Sequence, residues 1–172
     1  MALIVEDGTG KSDAESFATV GAADAYHTAR GNAAWTGDAA AKEAALRRAT
    51  DFLEGAFRGR WPGRIAVTGQ ALGWPRAYAH DAEGGLLVSN AVPQAVIRAC
   101  CECALRELEN PGGLAPDVTP GERILQEEVG PLSVTYGDEG AGQAALPALV
   151  SVNRLLASVL KPASSACLVV RA

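Results

Sequence analysis

Residues 39–57 read Ala39-Ala-Ala-Lys-Glu-Ala-Ala-Leu-Arg-Arg-Ala-Thr-Asp-Phe-Leu-Glu-Gly-Ala-Phe57. This stretch carries the clearest structural pattern in the sequence. Its larger apolar residues recur every three or four positions, and charged residues fall between them. This period is typical of an amphipathic helix with one wide buried face. Asp38 directly precedes the stretch and can cap the helix, because its carboxylate can accept hydrogen bonds from the first free backbone amides.

Two tryptophan–proline segments follow the predicted helix: Arg58-Gly-Arg-Trp-Pro-Gly-Arg64 and Gln70-Ala-Leu-Gly-Trp-Pro-Arg76. The whole region from Arg58 to Asn90 lacks a clear period, and loops of that length inside compact domains tend to be functional. We expect this loop to wrap over the helices and to pin its tryptophans against them. The predicted core that positions the loop consists of Phe52, Phe57, Trp61, Leu72 and Trp74.

A helix is predicted on either side of this central region. The first should span about residues 20–29, with Thr19 as its cap. The second should span about residues 91–109, after a cap at Ser89 or Asn90. The first should turn Val20, Ala23 and Tyr26 inward. The second is apolar on most of its faces, which indicates burial on more than one side, against neighbours that can include a second copy of the chain.

The sequence also predicts some β structure. Residues 2–5 form a short apolar run typical of a strand, and alternating apolar and polar residues near 123–137 predict a β-hairpin. A last helix should run from about residue 147 to residue 160. The predicted fold class is therefore mainly α: a small helical bundle with a β-hairpin over residues 1–162, followed by an extended C-terminal tail over residues 163–172.

The composition is that of one folded domain. The 172 residues are 48% hydrophobic and 20% charged, and the net charge is −5. An acidic chain does not supply the cation field that non-specific nucleic-acid binding needs, although a local basic patch is still allowed. No apolar run approaches the length of a membrane span, and the amino terminus lacks the basic start of a secretory signal. We therefore expect no membrane partner.

One short segment matches part of a phosphate-binding loop. Gly10-Lys11-Ser12 fits the end of that motif, but the full motif requires a glycine five residues before Gly10, where this chain has Val5. The polar residues that follow also do not open a long helix. A solvated turn is the better interpretation, and we expect no nucleotide cofactor.

The cysteines and histidines do not form a catalytic or metal-binding pattern. Cys100 and Cys103 have the spacing of a redox or zinc motif, but they fall in the middle of a predicted helix. His27 and His80 have no partner at a ligand spacing, and a structural zinc site needs four ligands. Small buried hydrophobes are the better interpretation of the cysteines. We expect no metal, no cofactor and no enzymatic activity.

The long loop carries a local basic patch in which arginines alternate with aromatic residues. Its members are Arg58, Arg60, Arg64 and Arg76, with Trp61, Trp74 and Tyr78. Such a composition can bind single-stranded nucleic acid through base stacking and phosphate pairing. Alternatively, the tryptophans anchor the loop in the core while the arginines contact acidic groups of a neighbouring subunit. The negative net charge favours the second interpretation.

Several segments, taken in chain order, resemble those of one phage protein family. They are Ala49-Thr-Asp-Phe-Leu, Arg60-Trp-Pro-Gly, Gln70-Ala-Leu-Gly-Trp-Pro-Arg76, Val92-Pro-x-x-Val96 and Glu128-Val-Gly-Pro-Leu-Ser-Val-Thr-Tyr136. The family is often labelled DnaT-like and single-stranded-DNA-binding, and the resemblance covers about residues 3–137. The predicted architecture also resembles the head–tail connector (adaptor) proteins of long-tailed bacteriophages and gene transfer agents.

The connector resemblance implies a structural virion protein. Such adaptors form a ring, usually dodecameric, between the portal protein and a stopper or tail protein, and DNA passes through the ring without sequence-specific binding. The chain would be made in the host cytoplasm and reside in the neck of the virion. The residues expected to contact subunits or the portal are Arg58, Arg60, Arg64, Arg76, Cys167, Leu168, Val169, Val170 and Arg171.

The DnaT-like label implies a different function for the same chain. It implies a single-stranded-DNA-binding replication protein, in which arginines of the loop would pair with phosphates. Binding of that kind weakens steeply with salt and depends on Arg60 and Arg76. Salt-dependent binding of single strands therefore separates the two functions.

Overall fold

In the computed structural model, residues 2–115 and 149–161 are described in full, and residues 126–129 and 132–135 by their backbone. Within these residues, the helices are α1 (Val20–Thr28), α2 (Ala39–Phe57), α3 (Gln94–Glu109) and α4 (Val150–Leu156), with a 3₁₀ turn over Arg58–Arg60. The strands are β1 (Arg64–Ile65), β2 (Arg76–Ala77), β3 (Gln126–Val129) and β4 (Leu132–Thr135). The fold is mainly α, as the sequence predicts.

The first two helices begin where the sequence predicts, because a capping side chain satisfies a free amide at each start. Thr19 Oγ1 accepts a 3.0 Å hydrogen bond from the amide of Ala22. Asp38 Oδ1 accepts a 2.8 Å hydrogen bond from the amide of Ala41. Both capping predictions are confirmed.

Helix α3 begins three residues later than predicted. Neither Ser89 nor Asn90 caps it; Pro93 occupies the cap position and the helix starts at Gln94. Proline disfavours helical backbone in the residue that precedes it, which keeps Val92 outside the helix. The predicted end at Glu109 is confirmed.

Helix α2 packs chiefly against α3, and this pair forms the centre of the core. The fully buried side chains of the pair include Leu46, Ala49, Leu53, Val96, Cys100 and Ala104. Each buried leucine of this kind contributes about 1.5–3 kcal/mol. The described cysteines are free thiols inside this core, and burial raises the pKa of Cys101 to about 12. They are packing groups, as the sequence predicts.

The core also contains Trp35, which lies in the connection between α1 and α2 and which the helical period does not predict. Its ring centroid lies 4.6 Å from that of His27. Its Nε1–H donates a 2.6 Å hydrogen bond to Asp24 Oδ1, and Lys42 Nζ donates to the same oxygen at 2.8 Å. The connection is therefore fixed to both helices by packing and by charge-assisted hydrogen bonds.

Four of the five predicted core residues that position the loop are buried: Phe57, Trp61, Leu72 and Trp74. The prediction for Phe52 is wrong in part, because this side chain is only partly buried. Phe52 lies at the edge of the buried face of α2, where it borders an open groove. The edge of an amphipathic stripe is the position at which helical period separates core from surface least well.

The β structure is small. Strands β3 and β4 form an antiparallel hairpin in which Val129 pairs with Leu132, which confirms the hairpin predicted near 123–137. Strands β1 and β2 also pair antiparallel, with Arg64 opposite Ala77. This second pair closes the first part of the long loop onto its later part.

The predicted first strand and last helix are shorter in the structure than in the prediction. The predicted strand at residues 2–5 is reduced to one isolated bridge, between Val5 and Ser16. Helix α4 ends at Leu156, four residues short of the prediction, while residues 147–148 lie outside the described residues, as does the predicted tail at 163–172. Among the described helices, none is long and apolar enough to span a membrane.

Candidate interaction surface

The tryptophans of the long loop form a buried aromatic cluster next to the end of α2. Trp61 and Trp74 are almost fully buried, and their rings pack edge to face with 5.9 Å between centroids. Phe57 adds a third ring, 6.1 Å from Trp61. Rings at these distances and angles stabilise the cluster beyond their buried area. The loop is therefore pinned to the helices by its tryptophans, as the sequence predicts.

The side chain of Gln70 satisfies the backbone of the loop from inside. Its Oε1 accepts a 2.9 Å hydrogen bond from the amide of Val67. Its Nε2 donates to the carbonyls of Leu72 and Pro75, at 2.7 and 3.0 Å. Because irregular backbone leaves carbonyls without partners in secondary structure, a buried amide side chain replaces those partners.

Arg76 serves the same purpose and is not an exposed contact residue. It is 8% exposed. Its guanidinium donates to the carbonyls of Gly73 and Gly63, each at 3.0 Å, and to the carbonyl of Pro62. The sequence-based assignment of Arg76 to a subunit or portal interface therefore needs correction, since its donors are used within the chain.

Gly73 is required by the close approach of the loop to α2. A Cβ at this position would lie 2.7 Å from Glu54 Oε1 and 3.0 Å from Trp61 Nε1. The Glu54 carboxyl is itself largely enclosed, and this burial raises its pKa. The segment Gln70–Arg76 is thus a structural clamp, in which Gln70, Gly73 and Arg76 serve the packing of the loop.

The other three arginines of the predicted interface lie on the outside of this clamp. Arg58, Arg60 and Arg64 are all exposed. Arg58 pairs with Glu54 Oε2 at 3.1 Å. The guanidinium carbon of Arg64 lies 4.8 Å from the ring centroid of Tyr78, which is a cation–π contact.

Tyr78 is the most unusual residue on this face. Its side chain is 68% exposed, and its φ of 55° lies in the left-handed region, which is rare for an aromatic residue. Backbone conformations of this kind cost free energy and cluster at functional sites. We name Arg58, Arg60, Arg64 and Tyr78 together the arginine–tyrosine surface.

An apolar edge adjoins the arginine–tyrosine surface. His80 forms a bridge to Leu86, and the amide of Leu87 donates to the carbonyl of Ala79 at 2.8 Å, so residues 86–88 lie beside the segment that carries Tyr78. Its exposed members are Leu86 and Val88, and the long loop also exposes Ile65 and Val67. Sequence reasoning missed this edge, because isolated apolar residues in a loop have no period that separates exposed from buried positions.

The described chain ends beside the same surface. The amide of Lys161 donates to the carbonyl of Arg60 at 2.9 Å, and the amide of Ala82 donates to the carbonyl of Ser158 at 2.8 Å. The predicted contact residues Cys167, Leu168, Val169, Val170 and Arg171 lie outside the described residues. The segment that carries them nevertheless starts at the arginine–tyrosine surface.

The loop that resembles a phosphate-binding motif is filled by a side chain of the protein itself. The carboxylate of Glu6 accepts hydrogen bonds from the amides of Gly8, Gly10 and Lys11, at 2.8, 2.9 and 2.8 Å. Successive amides of this kind form an anion-binding nest, and here Glu6 is the anion. Across the described ranges, no group of three histidine, cysteine or acidic side chains could hold a metal ion.

Comparison with known proteins gives one match. The family model described as "Putative DnaT-like ssDNA binding protein" matches residues 1–172. No curated protein and no solved structure matches the chain. The matched range includes the clamp at Gln70–Arg76, the arginine–tyrosine surface and the hairpin of β3 and β4.

Proposed function

The chain belongs to this DnaT-like family, and from the surface described above we propose that it is a structural virion protein, a head–tail adaptor. Copies of it form a ring, dodecameric by the connector resemblance, between the portal protein and a stopper or tail protein. DNA passes through the ring without sequence-specific binding. The protein resides in the virion neck after synthesis in the host cytoplasm and acts through contacts, without catalysis.

The observation that carries the proposal is that the long loop has buried structural residues and separate exposed residues. The fold buries Arg76, Gln70 and the two tryptophans of the loop, and hydrogen bonds from Arg76 and Gln70 to the backbone make the loop a rigid support. The support presents Arg58, Arg60, Arg64 and Tyr78 outward, next to an apolar edge. An exposed apolar edge rimmed by charge is typical of a protein–protein interaction site.

Charge also supports this function. The chain carries a net charge of −5, while the arginine–tyrosine surface is locally basic. An acidic ring neutralises few phosphates, so DNA can slide through it instead of adhering. The local basic surface is then suited to an acidic segment of a neighbouring protein, whose complementary charge guides and orients docking.

A complementation experiment tests the adaptor function. In the phage genome that encodes this chain, the gene is deleted and replaced in trans by the triple variant Arg58→Glu, Arg60→Glu, Arg64→Glu. We expect filled heads and separate tails to accumulate, because reversed charge disfavours docking on an acidic partner. The matched control reverses three exposed arginines elsewhere, Arg30, Arg98 and Arg154, and should restore most infectious particles. Normal particle yield with the first triple variant would overturn the proposal.

Single-strand binding is the second candidate function, and the pair formed by Arg64 and Tyr78 favours it. An exposed aromatic ring with a guanidinium against it is a common way to hold a base and its phosphate. The test is fluorescence anisotropy with a labelled single-stranded oligonucleotide over a salt series. The second function requires tight binding that weakens with salt and is lost in Tyr78→Ala and Arg64→Gln. The adaptor function expects weak binding that these two substitutions leave almost unchanged.

A further inference from the structure

An apolar groove lies on the side of α2, against the turn that follows α3. Its volume is about 370 Å³, and its walls are largely apolar. The walls come from Phe52, Gly55, Ala56 and Leu114, and the rim carries charged residues. A Cβ at Gly55 would meet nothing within 4 Å, so this part of the groove is open space.

The rim of the groove has one carboxylate that is paired within the chain, Glu107, and one exposed carboxylate, Asp51. Glu107 accepts 2.8 Å hydrogen bonds from Arg48 Nη1 and from the amide of Gly112. Asp51 has no hydrogen-bond or ion-pair partner within the described part of the chain, and desolvation raises its pKa. A cation placed next to a partly desolvated carboxylate favours its charged form, and apolar side chains fill apolar walls, so an occupant that carries both fits this groove.

The C-terminal segment of this chain has that composition. Leu168-Val169-Val170 is a β-prone apolar triplet, and Arg171 follows it directly. Residues 162–166, Pro-Ala-Ser-Ser-Ala, form a spacer that spans up to about 17 Å when extended. The spacer follows Lys161, whose backbone amide donates a hydrogen bond to the carbonyl of Arg60 at the surface.

We propose that the groove formed by Phe52, Gly55, Ala56 and Leu114 is a docking site for residues 162–172 of a second copy of this chain. Leu168 and Val170 point into the apolar groove, and Arg171 pairs with Asp51 at its rim. The partner follows from the ring of identical copies, so this inference rests on the proposed function.

The proposed contact is head-to-tail, as the contacts between the subunits of a ring are. One copy contributes its tail and the next copy contributes its groove, and these are different surfaces of the same chain. Such head-to-tail interfaces generate closed rings when the rotation between neighbours closes. An interface between two identical patches would stop at a dimer.

Disulfide trapping tests the contact in the purified full-length chain. Gly55→Cys places a thiol in the groove, where native Cys167 of a docked tail lies within reach. Mild oxidation with diamide followed by electrophoresis without reductant should give covalent dimers and longer ladders. The native thiols Cys100, Cys101 and Cys103 are buried and should contribute little background.

Two controls make the result specific. Gly21→Cys also places a thiol on a helix at an open glycine, but away from the groove, and should give only background ladders. Adding Cys167→Ser to Gly55→Cys should abolish the ladders. Only intramolecular bridges, at monomer mass, would overturn the proposal, because the tail would then occupy the groove of its own chain. Ladders no stronger than those of Gly21→Cys would overturn it as well.

A charge exchange tests the pairing of Asp51 with Arg171. In the Gly55→Cys background, Asp51→Arg should reduce the trapped fraction about two- to fivefold, the range for an exposed ion pair. Combining Asp51→Arg with Arg171→Asp should restore it. An unchanged trapped fraction in Asp51→Arg would contradict the pairing. None of these measurements needs virus particles, so their outcome is separate from that of the complementation experiment.

Discussion

The backbone amide of Lys161 donates a 2.9 Å hydrogen bond to the carbonyl of Arg60, across a sequence separation of 101 residues. This bond fixes the end of the last described helical segment to the basic loop. The two regions that the sequence marks as contacts, the loop arginines and the C-terminal tail, therefore start from one place on the surface.

Replacing Gly73 by alanine should destabilise the fold. The new Cβ would meet Glu54 Oε1 at 2.7 Å and Trp61 at 3.0 Å, so the Glu54 carboxyl must move and the buried Trp61 ring must give way. We expect the free energy of unfolding, measured with urea, to fall by about 1–3 kcal/mol, which is typical of overpacking. Gly59→Ala is the control, since its Cβ would meet nothing within 4 Å. Equal stability of the two variants would contradict the account of the clamp.

Arg76→Lys should also be costly, although it keeps the charge. Lysine cannot reproduce the planar donors that hold the carbonyls of Gly73 and Gly63. Leaving the buried carbonyl of Gly73 and the partly buried carbonyl of Gly63 unpaired should cost about 2–4 kcal/mol in total. Arg64→Lys, at an exposed position, should change stability by about 0.5 kcal/mol or less. Chemical denaturation of both variants gives the comparison, and a similar small effect at both positions would show that Arg76 is not structural.

Trp74→Ala tests the aromatic cluster. Trp74 is fully buried, and emptying such a site should cost about 3–5 kcal/mol. Tyr78→Ala changes an aromatic residue four positions later that is exposed, and thermal unfolding should move little. Wild-type melting in Trp74→Ala would refute the assignment of this residue to the core.

His27 should make stability depend on pH. Its Nε2–H donates to the carbonyl of Cys101 at 3.2 Å, and its Nδ1 accepts from Asn32 at 3.0 Å, so the buried ring is neutral. Desolvation lowers the pKa of His27 in the folded state below its ordinary value. The unfolded state therefore binds a proton at higher pH than the folded state does. Stability should fall as the pH drops below about 6.5, until the folded ring also protonates.

The measurement compares wild type with His27→Gln by urea unfolding at about pH 7.5 and about pH 5.5. Between these two pH values, the free energy of unfolding should fall by up to about 1 kcal/mol more in the wild type than in the variant. Asp51 and Glu54, whose pKa values are raised by burial, titrate in both proteins and cancel in the difference. The same pH dependence in both proteins would contradict the role of His27.

Much of the fold could be predicted because local chemistry and tertiary packing agree. The caps at Thr19 and Asp38, the buried stripe of α2 and the buried cysteines all follow from helical period and capping chemistry. The predicted start of α3 is three residues too early, because Asn90 is an acceptable cap residue but Pro93 keeps the residue before it out of the helix.

The candidate surface was harder to predict than the fold. A guanidinium in a loop usually lies in water, so the sequence predicts that Arg76 is exposed like Arg58, Arg60 and Arg64. The sequence nevertheless contains a signal that Arg76 is buried: this residue lies in the long loop that lacks a helical or strand period. Irregular backbone that packs on a core leaves carbonyls to satisfy, and the five donors of an arginine suit that purpose. Asp51, which has no ion-pair partner among the described residues, gave no signal in sequence, because its surroundings include residues from α3 and the turn that follows.

Cryo-electron microscopy of the virion neck, in particles whose genome encodes this chain, tests the adaptor function most directly. The account predicts a ring of this chain between portal and tail, with Arg60, Arg64 and Tyr78 in contact with a neighbouring protein. The contradicting result is a complete set of neck proteins traced in intact particles without any copy of this chain. The salt-dependent binding of single strands would then become the function to pursue.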